Sequence, residues 1–125
     1  MGYDVHLVRT EQWFDAESDP VTKEQVDKVL AADPTLSWSE SDYAEMTDDD
    51  GSVKRYHMIN WNGAPSFWWY KSEVRCKNPS EAQLLKLVEM ASALDARVVG
   101  DDGERYERGK TIFGKPKLVI RRETG

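Results

Sequence analysis

Residues 3–8 alternate in polarity, with Tyr3, Val5 and Leu7 on one side of an extended chain and Asp4, His6 and Val8 on the other. That period of two predicts a strand. An acidic, irregular stretch follows from Glu11 to Asp19, in which Trp13 and Phe14 are expected to pin the chain to the body. Asp19-Pro20-Val21-Thr22 then opens a helix. Thr22 and Gln25 have capping-box spacing, Val21 and Val26 can close a hydrophobic staple across it, and Val26, Val29 and Leu30 face inward. Pro34 ends this helix near Asp33, because the residue before a proline resists helical geometry.

Three strands are expected next, over Leu36 to Thr47, Val53 to Trp61 and Ser66 to Cys76. Asp48-Asp49-Asp50-Gly51 and Asn62-Gly63-Ala64-Pro65 supply the turns between them. A second helix begins after Lys77-Asn78-Pro79-Ser80-Glu81, with Asn78 as the expected N-cap and Pro79 at the first helical position. Leu84, Leu87, Val88, Ala91 and Leu94 recur at helical spacing as its inner stripe. Val98 and Val99 form a short strand ended by Gly100-Asp101-Asp102-Gly103. Thr111-Ile112-Phe113 or Leu118-Val119-Ile120 can add an edge strand, and the tail from about residue 107 either takes that role or is flexible, fraying at its last few residues. The expected fold is α+β: an antiparallel or mixed sheet of about five strands with two helices packed on one face. The 125 residues form one domain, large enough for a core without a disulfide or a structural metal.

Charge narrows the function classes. The net charge of −6 argues against general binding of nucleic acid, which needs clustered Lys and Arg. The distribution is uneven: Asp33, Glu40, Asp42, Glu45, Asp48, Asp49 and Asp50 occur without a basic residue up to Ser52, while Glu104 to the end is mostly basic. An acidic lobe of this kind steers a cationic partner. No apolar run reaches the ~20 residues of a membrane span. The opening Met-Gly-Tyr-Asp lacks the basic and apolar regions of a signal peptide, so a cytoplasmic location is expected.

Candidate chemistry is sparse, and no constellation identifies an enzyme. The single cysteine, Cys76, permits no intrachain disulfide and no Cys-only zinc site. Paired with a histidine it could supply nucleophile and base, but beside Val74 on the inner face of a strand it reads as a small hydrophobe. His6 and His57 lie in no ligand-spaced pair, and His6 is expected at the surface or half-buried, beside Asp4. Asp48 to Gly51 and Asp101 to Glu104 evoke calcium loops, yet the twelfth positions are Ile59 and Ile112 where a bidentate Glu is required. Tight turns explain both. If a small molecule or a divalent cation binds, Asp4, His6, Asp101, Asp102 and Glu104 would line its site; no cofactor is called for.

The aromatic run Phe67-Trp68-Trp69-Tyr70, with Trp61 nearby, carries the most information. Neighbouring residues on a strand point to opposite faces, so Trp68 and Trp69 cannot share one core. With helices over the Trp68 face, Phe67 and Trp69 would lie on the other, rimmed by Lys71, Glu73 and Arg75, as at a protein-binding surface.

Met-Gly-Tyr-Asp-Val-His at the start, Trp13-Phe14-Asp15, Lys77-Asn78-Pro79 and Ala96-Arg97-Val98-Val99-Gly100-Asp101-Asp102-Gly103-Glu104 together resemble a family of small uncharacterised bacterial proteins. The likeness covers the first strand and about Lys77 to Tyr106; the middle and the basic tail depart from it. In size, charge and build such proteins look like immunity proteins of toxin systems. The resemblance therefore implies a non-catalytic protein-binding module, an immunity-type inhibitor of a bacterial toxin. Glu40, Asp42, Glu45, Asp48, Asp49 and Asp50 would attract a cationic toxin domain, and Trp61, Phe67 and Trp69 would anchor it. The alternatives are the ligand or metal site above, and a homo-oligomeric module using the aromatic face on itself.

Overall fold

In the computed structural model, which describes residues 3–110 and 116–121, the first strand, β1 (Asp4–Val8), lies in the middle of the sheet. Val5, His6, Leu7 and Val8 are all buried, so this strand is covered on both faces. The chain continues through a 3₁₀ helix (Trp13–Ser18), α1 (Lys23–Ala32), β2 (Leu36–Thr47), β3 (Val53–Trp61), β4 (Ala64–Tyr70), β5 (Glu73–Lys77), α2 (Glu81–Ala93), β6 (Arg97–Gly100), β7 (Arg105–Lys110) and β8 (Pro116–Arg121). Among the described residues the strands form one eight-stranded sheet in the order β2-β3-β4-β5-β1-β6-β7-β8, antiparallel at every neighbouring pair.

This corrects the expected α+β fold with about five strands. The structure is mainly an antiparallel sheet, and the additional strands have identifiable origins. The expected single strand from Ser66 to Cys76 is two strands, β4 and β5, reversed at Lys71-Ser72. Beyond Gly103 the basic segment forms β7, which the sequence pattern did not show, and β8, which contains Leu118 to Ile120. The Thr111-Ile112-Phe113 alternative and the expected fraying of the last residues lie outside the described residues.

The missed reversal follows from its residues. Asn62 and Gly63 between β3 and β4 both have positive φ, 52° and 83°, as Asn-Gly hairpins require. Lys71 also stands at positive φ, 57°, but nothing in Lys-Ser announces it. Because the chain turns there, facing residues change. Phe67 and Trp69 of β4 share a face with Val74 and Cys76 of β5, whereas Trp68 and Tyr70 share the other with Glu73 and Arg75.

Both helices cover the first of these faces. Val26 and Leu30 of α1 and Leu84, Leu87, Met90 and Ala91 of α2 form one core with Val5, Leu7, Ile59, Phe67, Val74, Cys76 and Val98. The capping box of α1, Thr22 with Gln25, is as expected. For α2 the N-cap is Ser80, boxed with Gln83, and not Asn78. Asn78 instead, at φ 48°, ties β5 to the start of β1 by accepting from Tyr3 N–H and donating its own N–H to the Tyr3 carbonyl. Lys86 of α2 is buried and holds Asp33, the C-cap of α1, at 2.5 Å. Phe14, expected to pin its segment, is 66% exposed; Trp13 and the buried Ala16 do that instead.

A left-handed backbone at a residue with a Cβ costs about 1–2 kcal/mol, which glycine avoids. Lys71→Gly should therefore raise unfolding stability by roughly 0.5–1 kcal/mol in urea melts, the loss of the Lys71 ammonium near the Tyr70 ring taking back part of the gain. Lower stability in the variant would contradict the turn geometry.

Candidate functional site

On the face away from the helices, strand register sets one row of side chains across the sheet: Met58, Trp68, Arg75, His6, Val99 and Arg105, contributed by β3, β4, β5, β1, β6 and β7. His6 is the buried centre of this row, 2% exposed, and not the surface histidine that alternation suggested. The alternation itself holds; what covers His6 is the 3₁₀ segment, whose Trp13 ring stacks on the imidazole at 4.4 Å with planes 4° apart.

Both ring nitrogens of His6 meet carboxylates. Nδ1 lies 2.6 Å from Glu73 Oε1 and Nε2 lies 2.7 Å from Asp101 Oδ1. Only the doubly protonated ring can donate to both. Burial works against that cation, but the hydrogen bonds and charges of Glu73 and Asp101 outweigh it and hold the His6 pKa above its ordinary 6.5. Asp101 is shifted the opposite way: burial raises its pKa, yet the bonds from His6 and the Asp4 N–H leave it below 3.8. Arg75 Nε donates to the same Glu73 oxygen at 2.5 Å. The cluster thus contains two carboxylates, an imidazolium and a guanidinium, a balanced set of charges whose burial is supported by direct pairing.

At the neighbouring edge of β1, on the helix side, Tyr3 and Tyr106 both donate hydroxyls to Oε1 of the buried Glu104. Its Oε2 has no hydrogen-bond partner among the described residues. Burial, then the Glu104 bond, pushes the Tyr3 hydroxyl up to about 12. Gly100 lies against this carboxylate so closely that a Cβ there would overlap it. Asp102 N–H donates to Tyr3 Oη. The structure thus brings Asp4, His6 and Asp101 together on one side of the sheet, through the Asp4 backbone, and Asp102 with Glu104 about Tyr3.

That arrangement does not favour the metal reading. His6 has no free lone pair while it bonds both carboxylates, and no group of three or more His, Cys, Asp or Glu among the described residues is placed to hold a metal ion. Nor can Cys76 and His6 act as nucleophile and base, since they face opposite sides of the sheet. The thiol is buried, points at the Ser66 carbonyl, and is pushed up to about 11 by burial and by Asp4. The Asp48 to Ser52 and Gly100 to Glu104 segments are tight turns closed by backbone hydrogen bonds, with Gly51 and Gly103 at positive φ.

The expected aromatic anchors are displaced too. Phe67 is 0% exposed, and Trp69 and Trp61 pack against the helix-side core. Trp69 donates its indole N–H to the Val21 carbonyl. Phe67 is thus sealed in the core while Trp61 and Trp69 are half-buried against it, and the reason is the reversal at Lys71-Ser72 together with helices on the Phe67 face. Trp68 is the indole left on the other face, with Tyr70 4.6 Å away and its N–H on the Tyr56 carbonyl.

The acidic residues fare differently. β3 pairs with β4 only from Met58 inward, whereas β2 and β3 remain paired from Tyr43–His57 out to Thr47–Val53. The outer hairpin is an arm rooted by Tyr56, which packs at 5.1 Å on both Trp69 and Tyr70. Glu40, Asp42, Glu45, Asp48, Asp49 and Asp50 are all exposed on it. Searches against protein families, curated proteins and solved structures returned no match to this chain. Among the described residues no helix is long and apolar enough to cross a membrane.

The two shifts on the His6 cluster set its pH dependence. A raised histidine pKa contributes stability that is complete below the unfolded value of 6.5 and is lost as pH rises through the folded one. The depressed Asp101 contributes above 3.8, and that part is lost as pH falls through its folded value. Removing one partner of a buried pair costs about 3 kcal/mol. His6→Gln should lose about that much at pH 6 and clearly less at pH 9, measured by denaturant unfolding at both pH values. An equal loss at both would show that His6 is not charged in the fold.

Proposed function

We propose that this chain is a non-catalytic protein-binding module acting in the cytoplasm as an immunity-type inhibitor of a cationic bacterial toxin domain. The observation that carries the reading is the β2–β3 arm. Between Glu40 and Arg55 it holds six acidic and two basic residues, and it extends beyond the sheet where a partner can reach it.

One face of the arm carries Tyr43, Glu45, Thr47, Val53, Arg55 and His57 by strand alternation. Tyr43 is 40% and Val53 54% exposed, so two large apolar groups lie beside the acidic side chains. Arg55 holds the pattern in place, over the Tyr43 ring at 4.8 Å and paired with Glu45 at 3.3 Å. Lys54 likewise pairs with Asp48, whereas Glu40 and Asp49 form no ion pair among the described residues. An aromatic anchor within a rim of like charge suits a partner with a basic, partly apolar surface, such as the substrate site of a nuclease. β2 is also an edge strand, and its irregular register between Trp38 and Tyr43 blunts pairing with further strands.

Steering charges act on the association rate and buried anchors on dissociation. With the protein encoded beside this one as the partner, stopped-flow association should slow as salt rises. Replacing Asp42, Asp49 and Asp50 together by Asn should slow it about tenfold at low salt. Tyr43→Ala should instead speed dissociation, by about 2 kcal/mol in affinity. A neighbour that neither binds nor is neutralised removes the inhibitor reading.

A further inference from the structure

Beyond the arm, the face away from the helices contains a groove of about 350 Å³, within the size range of small-molecule sites. Asp4, Met58, Ser66, Trp68, Arg75 and Lys77 line it, together with Phe67 and Cys76. Its polar groups converge from three strands and differ in chemistry: two cations, one carboxylate, one hydroxyl and one indole.

Two of these groups, Arg75 and Trp68, are held in position. Arg75 is fixed by two contacts, its Nε on the buried Glu73 carboxylate and its guanidinium over the Tyr70 ring at 4.8 Å. Among the described residues it makes no other hydrogen bond, so its terminal amino groups remain available as a planar donor pair. That geometry suits phosphate or carboxylate. Lys77, two residues further along the same face of β5, is exposed and forms no ion pair among the described residues. Trp68 stands directly across from Arg75, its indole N–H committed to the Tyr56 carbonyl, which leaves the ring as an apolar surface beside the cations. Asp4, paired in register with Lys77, accepts no hydrogen bond on its carboxylate among the described residues and can take one from a ligand amino group.

We propose that this groove binds a nucleoside monophosphate or a ligand of the same chemistry: a flat aromatic ring with one phosphate. The ring stacks on Trp68, the phosphate sits between Arg75 and Lys77, and an exocyclic amino group reaches Asp4. The net charge of −6 is compatible with this, because a mononucleotide needs one local pair of cations, whereas a polymer needs a basic track. The site is independent of the acidic arm and does not rest on the inhibitor reading.

The test is titration of the full chain with AMP and with phenyl phosphate, followed by calorimetry and by quenching of tryptophan fluorescence. Both should bind saturably at sub-millimolar concentration, while adenosine and inorganic phosphate, each half of the ligand, bind far more weakly. Trp68→Ala should weaken AMP about tenfold, the order expected for one stacked base. Lys77→Gln, at an exposed position outside the His6 cluster, should weaken it severalfold with an unchanged melting temperature, and Arg75→Gln should weaken it more. The arm variant at Asp42, Asp49 and Asp50 should bind AMP as the parent does, which separates this site from the arm. Absence of binding by both aromatic phosphates at millimolar concentration overturns the proposal, as does AMP affinity unchanged in Trp68→Ala and Lys77→Gln.

Discussion

A pleated chain must send neighbouring side chains to opposite faces, and in this protein one two-residue reversal decides which side each receives. Between Tyr70 and Glu73 the chain turns on Lys71-Ser72, aligning Trp68 with Arg75 and Trp69 with Val74. Shift that reversal by one residue and every β5 side chain changes face relative to β4. Glu73 would no longer reach His6, Arg75 would leave the groove, and Val74 and Cys76 would leave the core. The packing of α1 and α2, the His6 cluster and the groove all depend on this single alignment.

The two faces then carry different kinds of interaction. Under the helices lies a conventional apolar core, with Phe67, Ile59, Leu7 and Leu87 fully buried. On the other face the sheet is closed over β1 and β6 by a charged cluster and one stacked indole, with Val8, Val99 and Ala16 as a small apolar complement. Among the described residues no such cover lies over the groove at β4 and β5. Glu73 links these regions, since one oxygen serves both the buried His6 and the groove-lining Arg75. A change in His6 protonation therefore bears on how Glu73 holds Arg75.

Much of the architecture was legible where local chemistry is strong. The Thr22–Gln25 box, the Asn62-Gly63 turn, the limits of β2 and β3 and the inner stripe of α2 all follow from residues adjacent in sequence. What the sequence concealed depends on pairing at a distance. Lys71-Ser72 has no turn chemistry of its own and takes its shape from the strands it joins. β7 reads as Arg-Tyr-Glu-Arg-Gly-Lys, a polar strand without apolar alternation, and exists because β6 and β8 flank it. Asp4, His6 and Asp101 were grouped by their motifs, and the structure brings them together, but Glu73 and Trp13 joined them only through the fold. The parity argument that Trp68 and Trp69 must diverge was sound. The covered face was assigned wrongly because the hairpin was read as one strand.

The face assignment of the two adjacent indoles is therefore the point on which the account stands, and nuclear Overhauser contacts from their ring protons measure it directly. The structure predicts contacts from Trp68 to Tyr70 and Met58, and from Trp69 to Val21, Trp38 and Tyr56. Contacts from Trp68 to the methyl groups of α1, with Trp69 free of them, would contradict it.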